Sequence, residues 1–361
     1  MKKTIFLISI ALLLSCFPNS ERFIHVSYPD TDGIDILSLE LFSDIEIIRF
    51  TGENCPMLTS DVYLIVQDNI YYMADPYTEK VYRFDQNGLY MNSIGSKGRG
   101  PNEYLSISSM TIDNQGNISI FSEMGEGVLV TYNQDGKFLE RTTYPYSSSD
   151  FASLNGLNYH YFGDGSGMDY QLYVTNNKGE TIEQFFPSSQ VLPLSYFGSV
   201  FSQYNQTLNI CPVYGNDIYQ LNNGKWEVKY SFDFGAYRIP DEYFKFDNMG
   251  DAFDLLITKT AAFKTRFLEN KRCAFLQASI DQMDTGTSRI LYGVLDKNNT
   301  TWKWLYIKED DYCPTLKYLD ESFAYFAVEP EEIKEAGMMA RLPLLQHLTE
   351  DDGMVILKCR L

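Results

Sequence analysis

A three-strand pattern with one kind of turn recurs down the middle of this chain, and a chain that repeats itself at such an interval has few ways to fold. Residues 69–75 (NIYYMAD) and 81–88 (VYRFDQNG) make one instance. Residues 116–122 (GNISIFS) and 130–139 (VTYNQDGKFL) make the next. Each unit is a strand, a turn, a second strand ending in an Asn/Asp–Gly step, then a third strand. That step signals a hairpin: both central turn residues need positive φ, which Gly and Asn adopt most cheaply. Similar steps follow at Asn177-Lys178-Gly179 and Asn223-Gly224, with a weaker one at Asn298-Asn299. Gly88, Gly136, Gly179 and Gly224 stand 48, 43 and 45 residues apart. A unit of that length holds four short strands and their turns, which is one blade of a β-propeller.

From Gly224 to Asn299 the step is 75 residues, so this blade carries an insertion. Residues 243–271 fit the extra length, part of it as helix. Five turns mark five blades. A sixth closes when an N-terminal strand at 45–50 joins C-terminal strands at 322–328 and 354–361, which removes the exposed strand edges of an open ring. Between those last strands, residues 330–348 read as a short helix packed on the ring. Pro330 suits a first helical position, and Glu331, Glu332 and Glu335 favour its positive end. Ile333, Met338, Leu342 and Leu345 recur at helical intervals, and Pro343 breaks the run late. The expected fold is all-β: a six-bladed propeller over residues 35–361, with a short C-terminal helical insertion.

Composition narrows the functions such a ring can have. The chain has 27 Tyr and 24 Phe, residues that suit pleated, half-buried surfaces, and most of them must pack between blades. The net charge of −19 repels phosphate backbones and argues against a nucleic-acid partner. His25, His160 and His347 are scattered, so no histidine-rich zinc site is expected, nor any other metal or cofactor. Beyond Cys16 there are Cys55, Cys211, Cys273, Cys313 and Cys359, an odd number with no CxxC pair. Most are expected as buried thiols in strands.

The chain begins MKKTIFLISIALLLSC. Lys2 and Lys3 precede an apolar run over 5–14, too short to span a bilayer. Leu13-Leu14-Ser15-Cys16 resembles the lipobox of bacterial lipoproteins. The resemblance implies a signal peptide over 1–15, lipidation of Cys16 and a membrane anchor instead of a span. Residues 16–34 would form the lipidated cysteine and a tether. Phe17 stands where other bacteria place an Asp to retain lipoproteins in the inner membrane, so an outer-membrane lipoprotein is expected, facing the periplasm or the cell surface.

The most distinctive internal motif is Ile94-Gly95-Ser96-Lys97-Gly98-Arg99-Gly100-Pro101-Asn102-Glu103-Tyr104. It follows a hairpin (FDQNGLYMNSI) and precedes another strand pair. This order resembles the six-bladed β-propeller lipoproteins of Bacteroides-type bacteria, which carry an IG-x-x-GRGPGEY-like loop after an early blade. Asn102 replaces a glycine common there. The resemblance covers nearly the whole mature chain and implies architecture, not an activity. If Gly88 turns between the third and fourth strands, residues 95–108 cross to the next blade on a face where propeller ligands commonly dock. Arg99, Glu103 and Tyr104 are then ligand-binding candidates: Arg99 for a carboxylate or sugar hydroxyl, Tyr104 as an apolar platform. The alternative is that Gly98, Gly100 and Pro101 shape a tight crossover while Arg99 and Glu103 staple adjacent blades.

Other motifs fall away. Lys97-Gly98-Arg99-Gly100 lacks the GxxxxGK[ST] pattern. The segment 30–35 fails calcium-loop spacing, because Tyr28 would hold the first ligand position. Asp164, in a glycine-rich turn, has no partner nearby in sequence. Paired carboxylates for glycoside cleavage cannot be picked from 48 acidic residues without distances. The leading expectation is a binding or scaffold module for a glycan, a peptide or an envelope protein. The alternative is a hydrolase or lyase acting on a carbohydrate or lactone, and a third reading is a purely structural member of an assembly.

Overall fold

A computed structural model describes residues 23–361, apart from 32, 125, 165, 190–198, 247, 309–310, 336 and 338–342. The expected signal peptide, Cys16, and Met338 and Leu342 of the expected helix lie outside the described residues. The strands form six sheets, one per blade. Blade 1 runs Tyr63–Gln67, Ile70–Asp75, Lys80–Phe84 and Tyr90–Ile94. Blade 2 spans Ser109–Ile112 to Phe138–Tyr144, and blade 3 Asp150–Leu154 to Thr181–Pro187. Blade 4 spans Phe201–Tyr204 to Lys225–Asp233, and blade 5 Thr260–Glu269 to Thr301–Ile307. Blade 6 takes Thr315–Leu319, Phe323–Val328 and Val355–Arg360 from the C-terminus, and Asp44–Arg49 from the N-terminus as its outermost strand. The closing register runs Val355 to Arg49 through Arg360 to Asp44. The six-bladed ring closed by both chain ends is therefore as expected.

Neighbouring strands within a blade are antiparallel, so connections alternate between two faces of the ring. The turns between first and second strands, and between third and fourth, lie on one face. The other, the crossover face, holds the turns between second and third strands and every blade-to-blade crossing. Side chains of each sheet alternate toward the two neighbouring blades and bury there. Tyr72, Val81 and Ile94 of blade 1 meet Ile118, Ile120 and Val130 of blade 2. At the closure, Ile48, Tyr325 and Ile356 pack on Tyr71, Met73 and Phe84. Each such buried side chain contributes about 1.5–3 kcal/mol.

The turn chemistry differs from expectation in an instructive way. Asn223 and Gly224 both have positive φ (49° and 76°), the two-residue turn foreseen. At Gly88, Gly136 and Gly179 only the glycine does, with φ near 80°. There Asp85, Asn133 and Asn176 open the turn, each accepting two backbone N–H bonds on its side-chain oxygen. This is a type I turn closed by one left-handed residue, so only the last position needs glycine. In the weaker case the turn that opens at Asp296 is one residue longer, and Thr300 (φ 54°) is its left-handed residue.

The insertion in the long repeat is 234–259, not 243–271. Its helix, Met249–Ile257, is capped by the Asn248 side chain, which accepts the Asp251 N–H at 3.0 Å. Residues 260–269 are instead the innermost strand of blade 5; enclosed on both sides, it lacks the alternation that marks a half-buried strand. Asn248→Ala is expected to cost about 1 kcal/mol in urea unfolding, the usual value of such a cap. The C-terminal helix covers Pro330–Glu335, followed by a short 3₁₀ turn at Pro343–His347, with Ile333 and Leu345 fully buried against blades 5 and 6. No helix among the described residues is long and apolar enough to cross a membrane.

Part of the expected tether is not free. Phe23–His25 adds as a parallel strand to the outer edge of blade 4, and Asp30–Thr31 to that of blade 5. Both outer edges had unpaired backbone groups to offer, and the belt satisfies them. Between the two strands, Tyr28 packs edge-on against Tyr237 and Tyr306 and donates to the Phe234 carbonyl at 2.8 Å.

Candidate functional site

The crossover face holds the long connections: 50–62, 95–108, 188–200, 234–259 and 329–354. The opposite face holds short turns. Any site built from loops must therefore lie on the crossover face.

The predicted crossover is there, and it is folded on itself. Lys97 and Tyr104 form a parallel bridge, with Gly98 N–H donating to the Tyr104 carbonyl at 2.8 Å. The Glu103 carboxylate accepts the Gly100 N–H at 2.7 Å, and a Cβ at Gly98 would collide with that carboxylate. Tyr104 is 1% exposed and packs edge-to-face on Tyr132. Burial pushes its phenol pKa up. It is a core residue between blades 1 and 2 and offers no platform to a ligand, which corrects its assignment as a binding residue. The Tyr132 hydroxyl donates to the Asn102 carbonyl at 2.6 Å. The arginine that staples this crossover is Arg141 of blade 2, donating to the Glu103 carbonyl at 2.7 Å, not Arg99. Arg99 is exposed and makes no hydrogen bond or ion pair among the described residues.

Two features that sequence reasoning missed stand elsewhere on this face. The first is a pair of hollows under the 234–259 insertion, of about 360 and 250 Å³, on either side of Arg238. Tyr237, Arg238, Leu256, Lys259 and Thr260 line the larger. Asn216, Asp217, Arg238, Asp241 and Phe244 line the smaller. Arg238 pairs with Asp241 at 2.6 Å. Lys259 is exposed, and its ammonium has no hydrogen bond or ion pair among the described residues. The larger hollow thus presents two cations and an aromatic edge in a strongly acidic protein. The 75-residue step marked this insertion, but nothing in it singled out Arg238 or Lys259.

The second lies where blade 6 meets blade 1. Lys317 stands on the innermost strand of blade 6, at a bulge where the ladder skips from Leu316 to Tyr318. It is 9% exposed, and its ammonium has no hydrogen bond or ion pair among the described residues. Burial and the Arg266 guanidinium lower its pKa to about 7, against the pull of Asp61 and Glu329. Arg266 donates to the Lys317 carbonyl at 2.7 Å. Asp61 accepts from the Tyr77 hydroxyl at 2.7 Å, and Glu329 from the Ser60 N–H at 2.6 Å. Burial and the charges of Glu329 and Asp61 raise the pKa of Glu332. Asp164 is partly buried and accepts from Gln171 and from the Ser189 N–H. Among the described residues no group of three or more His, Cys, Asp or Glu is placed to hold a metal ion. The five described cysteines are free thiols, four of them buried.

Fold and face together define the class: a six-bladed β-propeller whose loop-built face is crowded on one side of a closed ring. The chain belongs to the family described as "Domain of unknown function (DUF4934)", whose model matches residues 25–360. Among solved structures it is similar to a Bacteroides fragilis protein described as exported, at 17% identity and a TM-score of 0.75, covering 94% of this chain and 99% of that one. It is also similar to a member of the DUF4221 family from Bacteroides vulgatus, at 11% identity and a TM-score of 0.56, covering 89% and 97%. The family and these neighbours agree with the resemblance carried by the 94–104 motif. No curated protein matches the chain in sequence.

Proposed function

We propose that this protein is a lipid-anchored, extracytoplasmic binding module of the outer membrane that captures an acidic glycan or peptide on its crossover face. The observation that supports this reading is the larger hollow, where Arg238 and Lys259 flank about 360 Å³ of space on a rigid ring. A preformed concave site lowers the ordering cost of binding. Arg99, exposed on the same face, is a second contact for a carboxylate or sugar hydroxyl on a long ligand. The test is an array of acidic glycans and peptides probed with the mature chain. Arg238→Ala and Lys259→Ala are each expected to weaken binding about tenfold, the worth of one hydrogen bond to a charged group. Binding that ignores both substitutions would remove the hollow from the reading. Labelled fatty acid should enter the wild type and not Cys16→Ser.

A second reading, a hydrolase or lyase on a carbohydrate or lactone, is favoured by Lys317. A buried amine with pKa about 7, in the field of Asp61 and Glu329, has the properties of a general base. The amine must be neutral to accept a proton, so turnover should rise with pH through about 7. It should vanish in Lys317→Met with the fold retained. A pH-independent rate, or turnover surviving the substitution, would clear Lys317 of that role.

A further inference from the structure

The junction of blades 6 and 1 carries more than the amine of Lys317. Tyr77 stands in the turn between the second and third strands of blade 1, on the crossover face. It is 70% exposed and the only exposed tyrosine among the described residues; the others are packed between blades or half-buried. It is held at both ends. Asp75, itself buried, accepts the Tyr77 N–H at 2.8 Å and the Thr78 N–H at 3.3 Å, which fixes the turn. The Tyr77 hydroxyl donates to one oxygen of Asp61, which fixes the ring. An aromatic ring tethered in this way and left open to water is a platform that needs little further ordering when a ligand arrives.

Beside the platform, hydrogen-bonding capacity is left over. The second oxygen of Asp61 has no hydrogen bond among the described residues. Neither has the second oxygen of Glu329, whose first takes the Ser60 N–H. Ser60 and Asp61 are neighbours in the chain, so the two carboxylates lie close together. Both act on the Lys317 ammonium, which is nine-tenths buried and donates to nothing among the described residues. A buried donor without an acceptor costs the fold free energy, and a bound acceptor would recover it. The charges select the ligand. Glu332 feels both of these acids, and Glu331 and Glu335 as well, so an anion is repelled. A cation would satisfy the acids but put a like charge beside Lys317 and leave its donor unused. A neutral ligand with several hydroxyls serves every group: it donates to Asp61 and Glu329, accepts from Lys317 and lays a C–H face on Tyr77.

We propose that Tyr77, Asp61, Glu329 and Lys317 form a binding site for a neutral sugar ring at the junction of blades 6 and 1. The site is separate from the hollow beside Arg238 and does not rest on it. It names a substrate class for the reading of Lys317 as a base, and it stands whether or not turnover follows binding.

The test titrates the full-length protein with the methyl glycosides of glucose, galactose, mannose and xylose, read by saturation-transfer NMR. At least one should bind in the millimolar range. Tyr77→Ala and Asp61→Asn, both at exposed side chains, should each weaken it about tenfold, the worth of a stacked ring or of one hydrogen bond to a charged group. The bound glycoside should also slow acetylation of Lys317 by acetic anhydride several-fold, while Lys137, exposed in a turn of blade 2, reacts as before. Silence from all four glycosides would overturn the proposal. So would binding that survives both substitutions, or an acetylation rate at Lys317 that ignores the sugar. Binding of glucuronate or glucosamine in place of every neutral glycoside would assign the site to a charged ligand and overturn it too.

Discussion

Between pH 7.5 and pH 4, wild-type protein should lose about 3 kcal/mol more unfolding free energy than His160→Phe. His160 is fully buried on the second strand of blade 3. It is boxed by Phe121, Tyr144, Tyr146 and Phe151 at ring separations of 4.5–5.7 Å. Its Nε2 lies 3.1 Å from the Thr175 hydroxyl, and its Nδ1 has no partner. Burial lowers its pKa to about 3. In the unfolded chain it titrates near 6.5, so that state takes up the proton first. Stability from a neutral His160 is complete above about pH 6.5 and drains away as pH falls toward 3. Each unit of that window is worth about 1.4 kcal/mol. Urea midpoints of both proteins across the range measure it, and the difference cancels the titration of the many carboxylates. Parallel curves would mean that His160 is hydrated or paired in the folded state.

Gly88→Ala should cost on the order of 3 kcal/mol, whereas Gly224→Ala should cost about 1 kcal/mol. Both glycines end a hairpin turn, of different types, and have similar positive φ, 82° and 76°. A Cβ at Gly224 meets nothing within 4 Å. A Cβ at Gly88 would collide with the Arg49 carbonyl oxygen of the closing strand. Moving the turn away would break the Thr51 N–H bond to the Gly88 carbonyl and the Tyr90 N–H bond to the Thr51 carbonyl. Gly136 and Gly179 show a milder form, with a Cβ placed 3.2 and 3.4 Å from carbonyls of the preceding blade. Equal losses at 88 and 224 in chemical unfolding would mean that only backbone conformation matters, not the contact between blades.

Turn chemistry is local, and that is why six blades could be read from spaced glycines. A one-residue change in turn type left the spacing untouched, so an error about φ at Asn87 did not disturb the count. Closure was legible because the unpaired strands at both ends had nowhere else to go. Burial is not local. Tyr104 follows glycines and a proline, a context that reads as exposed loop, and only the bridge to Lys97 folds it under Tyr132. The junction around Lys317 draws on residues near 61, 266, 317 and 329, and no spacing in the chain announces that meeting. A lysine inside the apolar run TLKYL was the one available signal.

The clasp of blade 6 also sets an order of events in the life of the molecule. Asp44 pairs with Arg360, so an early strand and the last strand of the chain meet in one ladder. No ring can shut until the final strand has been made and delivered. A chain made from its N-terminus must carry five blades and an orphan strand while it waits, and contacts of such long sequence separation form slowly. Loss of the last seven residues would therefore not trim one blade. It would leave the ring open at Asp44–Arg49, with two raw edges facing each other and any neighbouring chain.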